Sequence, residues 1–154
     1  MGTEIERKFL VVGSDWQGLA AGVDFRQGYL STDKERAVRV RIAGDTAYLT
    51  IKGKPRGITR AEFEYEIPIA DANAMLDGLC HQPIIEKTRY RIPHNGKTWD
   101  LDVFHGVNDG LIVAEVELAS EEESFDLPDW AGEEVSDDPR YANASLISHP
   151  FTQW

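Results

Sequence analysis

Charged and apolar side chains alternate with a period of two residues through most of this chain. In a β-strand, residues i, i+2 and i+4 point to the same face, so this period predicts strands with one polar and one apolar face. The strongest turn signals between them are Gly44-Asp45, Asn95-Gly96 and Asn108-Asp109-Gly110. We predict eight strands, at 3–12, 25–32, 36–43, 46–53, 60–69, 84–93, 97–105 and 111–120.

Helical periodicity is confined to short segments. We expect one helix over 71–79, with Asp71 as its N-cap and an apolar stripe that includes Leu76. A second helix is expected over 141–148, and a short helical turn within 13–22. The fold class is therefore mainly β, with a few peripheral helices.

The strands must close into a barrel or leave edges exposed. We predict a closed eight-stranded antiparallel β-barrel, as a single domain over residues 1–154. The charged residues at alternate strand positions, called the charged parity below, are segregated by sign. Arg39 and Arg41 lie on one strand, and Glu62 and Glu64 lie on another. Like charges on one face repel each other unless a ligand or metal neutralises them, so this parity is predicted to line the lumen. For any single strand, a solvated charged face over an apolar core is the alternative.

Composition limits the partners and the compartment. The formal net charge is −11, which excludes nucleic acid and anionic membranes unless positive charge is concentrated locally. Basic residues do concentrate between Arg36 and Arg60, which favours a small polyanion. No apolar run approaches the roughly 20 residues of a membrane span, and the N-terminus lacks a secretory pattern. A single cysteine, Cys80, fits a reducing cytoplasm.

The first predicted strand carries the most specific chemical signal. Glu4, Glu6 and Lys8 lie on one face, with the two carboxylates about 7 Å apart. Carboxylate oxygens suit a hard divalent cation, and the lysine suits an anion beside it. A site that binds both a metal and an anion indicates phosphate chemistry.

These motifs together resemble the CYTH domain proteins, also called triphosphate tunnel metalloenzymes. The matching elements follow the family's order along essentially the whole chain: Glu4-x-Glu6-x-Lys8, Arg39-x-Arg41, Thr50-Ile51-Lys52-Gly53, Glu62/Glu64, Glu86-Lys87-Thr88-Arg89, Asp102, Glu115/Glu117 and the segment 136–141. The resemblance implies a barrel with a charged tunnel, a divalent metal and a triphosphate substrate. The chain is most similar to short bacterial inorganic tripolyphosphatases, which are often homodimers.

Roles for the site residues follow from this resemblance and from phosphate chemistry. Arginine forks match phosphate oxygens, and lysines supply point charges. The substrate-binding set is Lys8, Arg39, Arg41, Lys52, Arg89 and Arg91. By analogy with the family, one or two Mg²⁺ or Mn²⁺ ions would be held by Glu4, Glu6, Asp102, Glu115 and Glu117.

The catalytic hypothesis is less specific. Metal- or carboxylate-held water is the expected nucleophile, and Lys87 and Tyr29 are expected to position it or the leaving group. Glu62 and Glu64 are either base candidates or partners of the basic side chains, and the sequence leaves both open. The most favoured reaction is hydrolysis of tripolyphosphate to pyrophosphate and phosphate. The alternatives are a class IV-type adenylate cyclase, a thiamine or nucleoside triphosphatase, and a non-catalytic polyphosphate-binding protein.

Overall fold

The computed structural model describes residues 2–154. In that range the chain forms nine strands: β1 Gly2–Val11, β2 Gly22–Ser31, β3 Arg36–Ala43, β4 Thr46–Gly53, β5 Thr59–Ile67, β6 Ile85–His94, β7 Lys97–Phe104, β8 Ile112–Glu117 and β9 Ala131–Glu134. Two α-helices accompany them, α1 Ile69–Gly78 and α2 Ser145–Ser148. Three 3₁₀ turns lie at Gly106–Asn108, Pro139–Tyr141 and Phe151–Gln153.

Eight of the strands close into an antiparallel barrel, as predicted. The order is β5-β4-β3-β2-β6-β7-β8-β1, and β1 also pairs with β5. Along one edge of β1, Gly2 to Ile5 pair with β5, and along the other edge Glu6 to Leu10 pair with β8. Because β1 bonds to both end strands, the sheet has no free edge at this seam. The ninth strand, β9, was not predicted and pairs with the end of β1, at Phe9 and Val11.

Turn chemistry fixes two of the hairpins. Between β6 and β7, Asn95 and Gly96 both have positive φ, at 46° and 81°. This is the backbone that a two-residue hairpin of the I′ type requires, and Asn-Gly is its preferred sequence. Between β3 and β4, Gly44 has φ of 62°. These predicted turns are confirmed.

The predicted helices are only partly correct. The first helix begins at Ile69 with Pro68 at the N-cap position, so the prediction of Asp71 as N-cap is wrong. Asp71 lies in the first turn, where its charge favours the positive end of the helix. The second helix is only Ser145–Ser148, because Asp138 accepts the Arg140 N–H at 3.0 Å and begins a 3₁₀ turn instead. Residues 13–20 form turns and bends, not a helix.

The largest hydrophobic core lies outside the barrel wall. Trp99 and Trp130 pack edge to face at 5.6 Å between ring centroids, and Phe9 contacts Trp99 at 5.5 Å. Trp16 belongs to the same cluster. Phe9 and Trp99 alternate with the charged residues of their strands, so their burial outside the wall leaves those charged residues facing the lumen.

One end of the lumen is apolar. Ile85, Phe104 and Val113 have the inward parity and pack against Leu146 and Ile147 of α2. The segment 138–148, called the C-terminal segment below, therefore closes this end of the barrel. The charged tunnel predicted from the sequence occupies the rest of the lumen. Among residues 2–154, no helix has the length and apolarity needed to cross a bilayer.

Candidate active site

A cavity of about 850 Å³ occupies the charged part of the lumen. Its lining includes most of the residues that the sequence singled out: Glu4, Glu6, Lys8, Tyr29, Arg39, Arg41, Lys52, Glu62, Glu64, Arg89, Glu115 and Glu117. They come from seven different strands, and the two-residue period of each strand places its members on the same inner surface. The predicted orientation of the charged parity is thus confirmed.

One wall of the cavity is basic. The Arg41 guanidinium lies 4.9 Å from the centroid of the Phe25 ring, and its Nε donates to Gln27 Oε1 at 2.8 Å. Burial, together with the charges of Arg39 and Arg89, lowers the pKa of Arg41 to about 9. Arg41 thus remains a cation near neutral pH, held in a cluster of like charges that would bind a polyanion strongly.

The opposite wall is acidic. In the β1–β8 ladder, Glu6 lies opposite Glu117, and Lys8 lies opposite Glu115. Burial, followed by the charges of Glu115 and Glu4, raises the pKa of Glu6 well above its ordinary value. Burial opposes ionisation of Glu115, but the charge of Lys8, together with Glu6, Arg89 and Lys87, lowers its pKa. Glu6 is therefore the harder of the two carboxyl groups to ionise, and a bound cation would favour its charged form.

Two lysines contact the carboxylates of the cavity. Lys52 Nζ lies 3.1 Å from Glu4 Oε1 and 3.3 Å from Glu62 Oε2. Lys8 Nζ lies 3.7 Å from Glu115 Oε1 and donates to the Tyr141 carbonyl at 3.0 Å. These cations and carboxylates neutralise one another inside the barrel.

A buried ion pair lies beyond the cavity lining. Asp102 Oδ2 is 2.7 Å from Lys87 Nζ, and the Asp102 carboxylate accepts from Arg89 Nε and Nη2 at 2.8 and 2.9 Å. The side chains of Lys87 and Asp102 are 0% and 1% exposed. Burial lowers the pKa of Lys87 to about 7, although Asp102 opposes that shift. The pKa of Asp102 is lowered, with Lys87 and Arg89 outweighing the opposing effect of burial.

The remaining predicted residues occupy distinct positions. Tyr29 is 6% exposed and packs with the apolar end while lining the cavity. Glu64 Oε2 accepts from Thr50 Oγ1 at 2.9 Å and lies 3.6 Å from Arg39 Nη2. The Arg91 side chain is 72% exposed and is not part of the cavity lining; its Nε lies 3.4 Å from Asp100.

Asp100 and Asn143 are among the cavity residues that the predicted set did not include. Asp100 faces Glu115 across the β7–β8 ladder and lines the cavity, and its parity, shared with Asp102, could have identified it. Asn143 also lines the cavity but comes from the C-terminal segment. That segment has no strand period, so no sequence signal could have placed Asn143 inside the barrel.

The donor set of the acidic wall is chemically suited to a hard cation. Among residues 2–154, no three His, Cys, Asp or Glu side chains converge closely enough to form a preformed metal site. Burial raises the pKa of Glu4 and of Glu6, and at Glu4 the ion pair with Lys52 offsets only part of that shift. Carboxylates in this condition fit Mg²⁺ or Mn²⁺, which prefer oxygen ligands and retain several waters.

Comparisons with known proteins agree with this geometry. The CYTH domain model matches residues 2–149. An inorganic triphosphatase of Acetivibrio thermocellus is 51% identical over 151 residues, covering 98% of this chain and 97% of that protein. An inorganic triphosphatase of Nitrosomonas europaea is 40% identical over 149 residues, covering 94% and 96%. This chain belongs to the CYTH family.

A solved structure supports the same assignment. The crystal structure of an inorganic triphosphatase superposes with a TM-score of 0.68 at 38% identity, covering 96% of this chain and 95% of that one. In this CYTH protein, the family's Glu-x-Glu-x-Lys element is the run from Glu4 to Lys8, whose side chains line the cavity. The resemblance inferred from the sequence is therefore confirmed.

Proposed function

We propose that this protein hydrolyses a triphosphate, and that its substrate is inorganic tripolyphosphate, cleaved to pyrophosphate and phosphate. The observation that carries the proposal is the cavity with one basic and one acidic wall. Three arginines, Arg39, Arg41 and Arg89, line it together with the carboxylates of Glu4, Glu6 and Glu115. The names of the two curated relatives support the same reaction class.

A divalent cation, Mg²⁺ or Mn²⁺, completes the proposed site. Glu4, Glu6, Glu115 and Glu117 would hold one or two ions, since all four line the cavity. The ion would supply charge neutralisation at the phosphates and a lowered pKa for attacking water. We leave Asp102 out of this set, because its carboxylate is already bonded to Lys87 and Arg89 and does not line the cavity.

The protein's own groups would bind, orient and neutralise the substrate. Hydrolysis of a phosphoanhydride requires little covalent chemistry from the protein. The main requirement is that charged groups are correctly positioned around the substrate. The arginine forks would hold phosphate oxygens, and Lys8 and Lys52 would exchange their carboxylate partners for phosphate. Lys87 lies beyond the cavity lining, so we propose that it acts indirectly, positioning Arg89 through Asp102, while Tyr29, which lines the cavity, positions water or the leaving group.

Glu62 and Glu64 both lie beside basic side chains. Glu62 lies 3.3 Å from Lys52, and Glu64 accepts from Thr50 and neighbours Arg39. These contacts favour partnership with the basic side chains over a general-base role. Arg91 would contribute only at the periphery, because its side chain is largely exposed.

A phosphate-release assay tests the function. With Mg²⁺ or Mn²⁺, we expect the fastest release from tripolyphosphate, compared with ATP, thiamine triphosphate and pyrophosphate. Cyclic AMP produced from ATP would identify a cyclase instead. Tight metal-dependent binding without phosphate release would identify a non-catalytic polyphosphate-binding protein.

A variant assay tests the role of Lys87. We expect Lys87→Ala to lower kcat roughly 100-fold or more, as for loss of a charge that positions a substrate-binding arginine. Arg26→Ala is the control, because Arg26 bonds to Asn73 and Asp77 and is absent from the cavity lining. Turnover of Lys87→Ala equal to that of the control would exclude the proposed role.

Homodimer formation and a cytoplasmic location remain predictions. A candidate surface for the dimer lies on the outer face of β4 and β5, where Ile51, Phe63 and Tyr65 are 39%, 48% and 58% exposed. Ile51 and Phe63 are direct cross-strand partners, so the apolar side chains form one patch. We propose that a second copy of the chain packs on this patch. Analytical ultracentrifugation of the wild type and of Phe63→Lys tests this proposal. A monomeric wild type would overturn it.

A further inference from the structure

Asn143 reaches the site from outside the barrel strands. It lies in the C-terminal segment, between the 3₁₀ turn Pro139–Tyr141 and α2, and it lines the cavity. Its Oδ1 accepts two hydrogen bonds, from Gln27 Nε2 at 3.0 Å and from Lys87 Nζ at 3.3 Å. Asn143 therefore contacts a residue that we place in the catalytic machinery.

The orientation of this amide follows from its neighbours. Arg41 Nε donates to Gln27 Oε1 at 2.8 Å, and a guanidinium has donors only. Gln27 must therefore present its oxygen to Arg41 and its Nε2 to Asn143. Gln27 is fully buried, so water cannot compensate a reversed amide. The Lys87 ammonium is a second group that only donates, and it too requires the oxygen of Asn143.

The side-chain oxygen of Asn143 is occupied, so the side chain has one polar group left, the Nδ2 amide. Within residues 2–154, Asn143 Nδ2 makes no hydrogen bond. It is also not among the side-chain polar atoms of these residues that are buried without a hydrogen-bond partner. It is therefore accessible, and the accessible space beside Asn143 is the cavity that Arg41 and Arg89 also line.

We propose that Asn143 is a substrate-binding residue, whose Nδ2 amide donates a hydrogen bond to a phosphate oxygen of the polyphosphate. The proposal rests on the proposed function of the cavity. Gln27 and Lys87 set the direction of the donor. An uncharged donor adds a phosphate contact without adding another cation beside Lys87, Arg41 and Arg89.

A purely structural role, tethering the C-terminal segment to the barrel, accounts less well for these contacts. The segment has other anchors: Leu146 and Ile147 are buried, Lys8 donates to the Tyr141 carbonyl, and Asn108 Nδ2 donates to the Leu146 carbonyl at 3.3 Å. A tether would also need only the oxygen of residue 143.

The experiment compares Asn143→Asp with Asn143→Ala. Aspartate keeps an oxygen for Gln27 and Lys87 but replaces the donor with a charged acceptor, whereas alanine removes both. We expect KM for tripolyphosphate to rise roughly tenfold in Asn143→Ala and roughly 100-fold in Asn143→Asp, with smaller changes in kcat. Asn73→Asp is the matched control, since Asn73 Oδ1 accepts from Arg26 and Asn73 is absent from the cavity lining; its KM should stay within about twofold of wild type.

Two results would overturn the proposal. A wild-type KM in Asn143→Asp with an impaired Asn143→Ala would show that only the oxygen matters, as in a positioning or tethering role. Wild-type values in both would show no role in binding. The Kd of tripolyphosphate, measured by calorimetry in EDTA, should follow the same order without turnover. A wild type that fails to hydrolyse tripolyphosphate would thus contradict the proposed function, while the Kd series would still decide the role of Asn143.

Discussion

The buried pair of Lys87 and Asp102 allows a quantitative prediction. Asp102→Asn keeps the shape of the side chain but removes its charge. Lys87 then remains buried at 0% exposure, and Arg89 loses the carboxylate that accepts from its Nε and Nη2. Removing one partner of a buried ion pair costs about 3–5 kcal/mol, because the remaining charge is desolvated without compensation.

This cost predicts a measurable change in the melting temperature. For a chain of this size, 1 kcal/mol corresponds to roughly 2–4 °C, so Asp102→Asn should melt about 6–20 °C below wild type. Urea unfolding in EDTA, followed by tryptophan fluorescence, would give the difference in free energy directly. EDTA removes metal binding from the comparison.

An exposed ion pair supplies the control. Arg36 Nη2 lies 3.3 Å from Asp33, with the Arg36 side chain 72% exposed. Arg36→Ala should cost less than about 1 kcal/mol. If Asp102→Asn were as stable as Arg36→Ala, Lys87 would be compensated by other groups, and the inference that Asp102 holds Lys87 and Arg89 in place would be wrong.

Three further predictions address the metal, the ligands and the fold. Mg²⁺ at 100 times its Kd should stabilise the wild type by about 2.7 kcal/mol in thermal unfolding, and Glu6→Gln should lose most of this shift if Glu6 is a ligand. Mg²⁺ and tripolyphosphate should raise each other's affinity about 5- to 150-fold by calorimetry, in a variant too slow to turn over; independent affinities would contradict the charge pairing in the cavity. Gly28→Ala should lower the melting temperature by several degrees, because the added Cβ would lie 2.9 Å from Cys80 Cβ and 3.1 Å from Leu76 Cδ2; an unchanged value would show that α1 shifts freely on the barrel.

The period of two residues accounts for most of what the sequence predicted correctly. It assigns each strand an inner and an outer face, and hydrophobic residues such as Trp99 and Val116 then require the charged face to be the inner one. Turn residues add the hairpins, as Asn95-Gly96 does between β6 and β7. Both signals are local, which is why the barrel could be derived from one sequence.

The two-residue period does not indicate how deep along the barrel axis each inward-facing residue lies. Lys87, Arg89 and Arg91 share one parity, yet Lys87 is buried, Arg89 lines the cavity and Arg91 is largely exposed. Depth depends on strand tilt and on what closes the ends of the barrel. Here the C-terminal segment closes one end, and its short 3₁₀ and α turns carry no periodic signal. The metal role predicted for Asp102 depended on this missing information about depth.

The pairing of opposite charges predicts that the cavity binds an anion and a cation together. Lys52 lies between Glu4 and Glu62, and Lys8 lies beside Glu115. A polyphosphate that binds these lysines leaves the carboxylates without a positive partner. A metal ion that binds the carboxylates leaves the lysines without a negative partner. The binding free energy of either ligand alone is therefore reduced by the cost of the buried charges that it leaves without a partner. When both bind, each neutralises what the other exposes, so their affinities must be coupled, and by linkage the coupling must be equal in both directions.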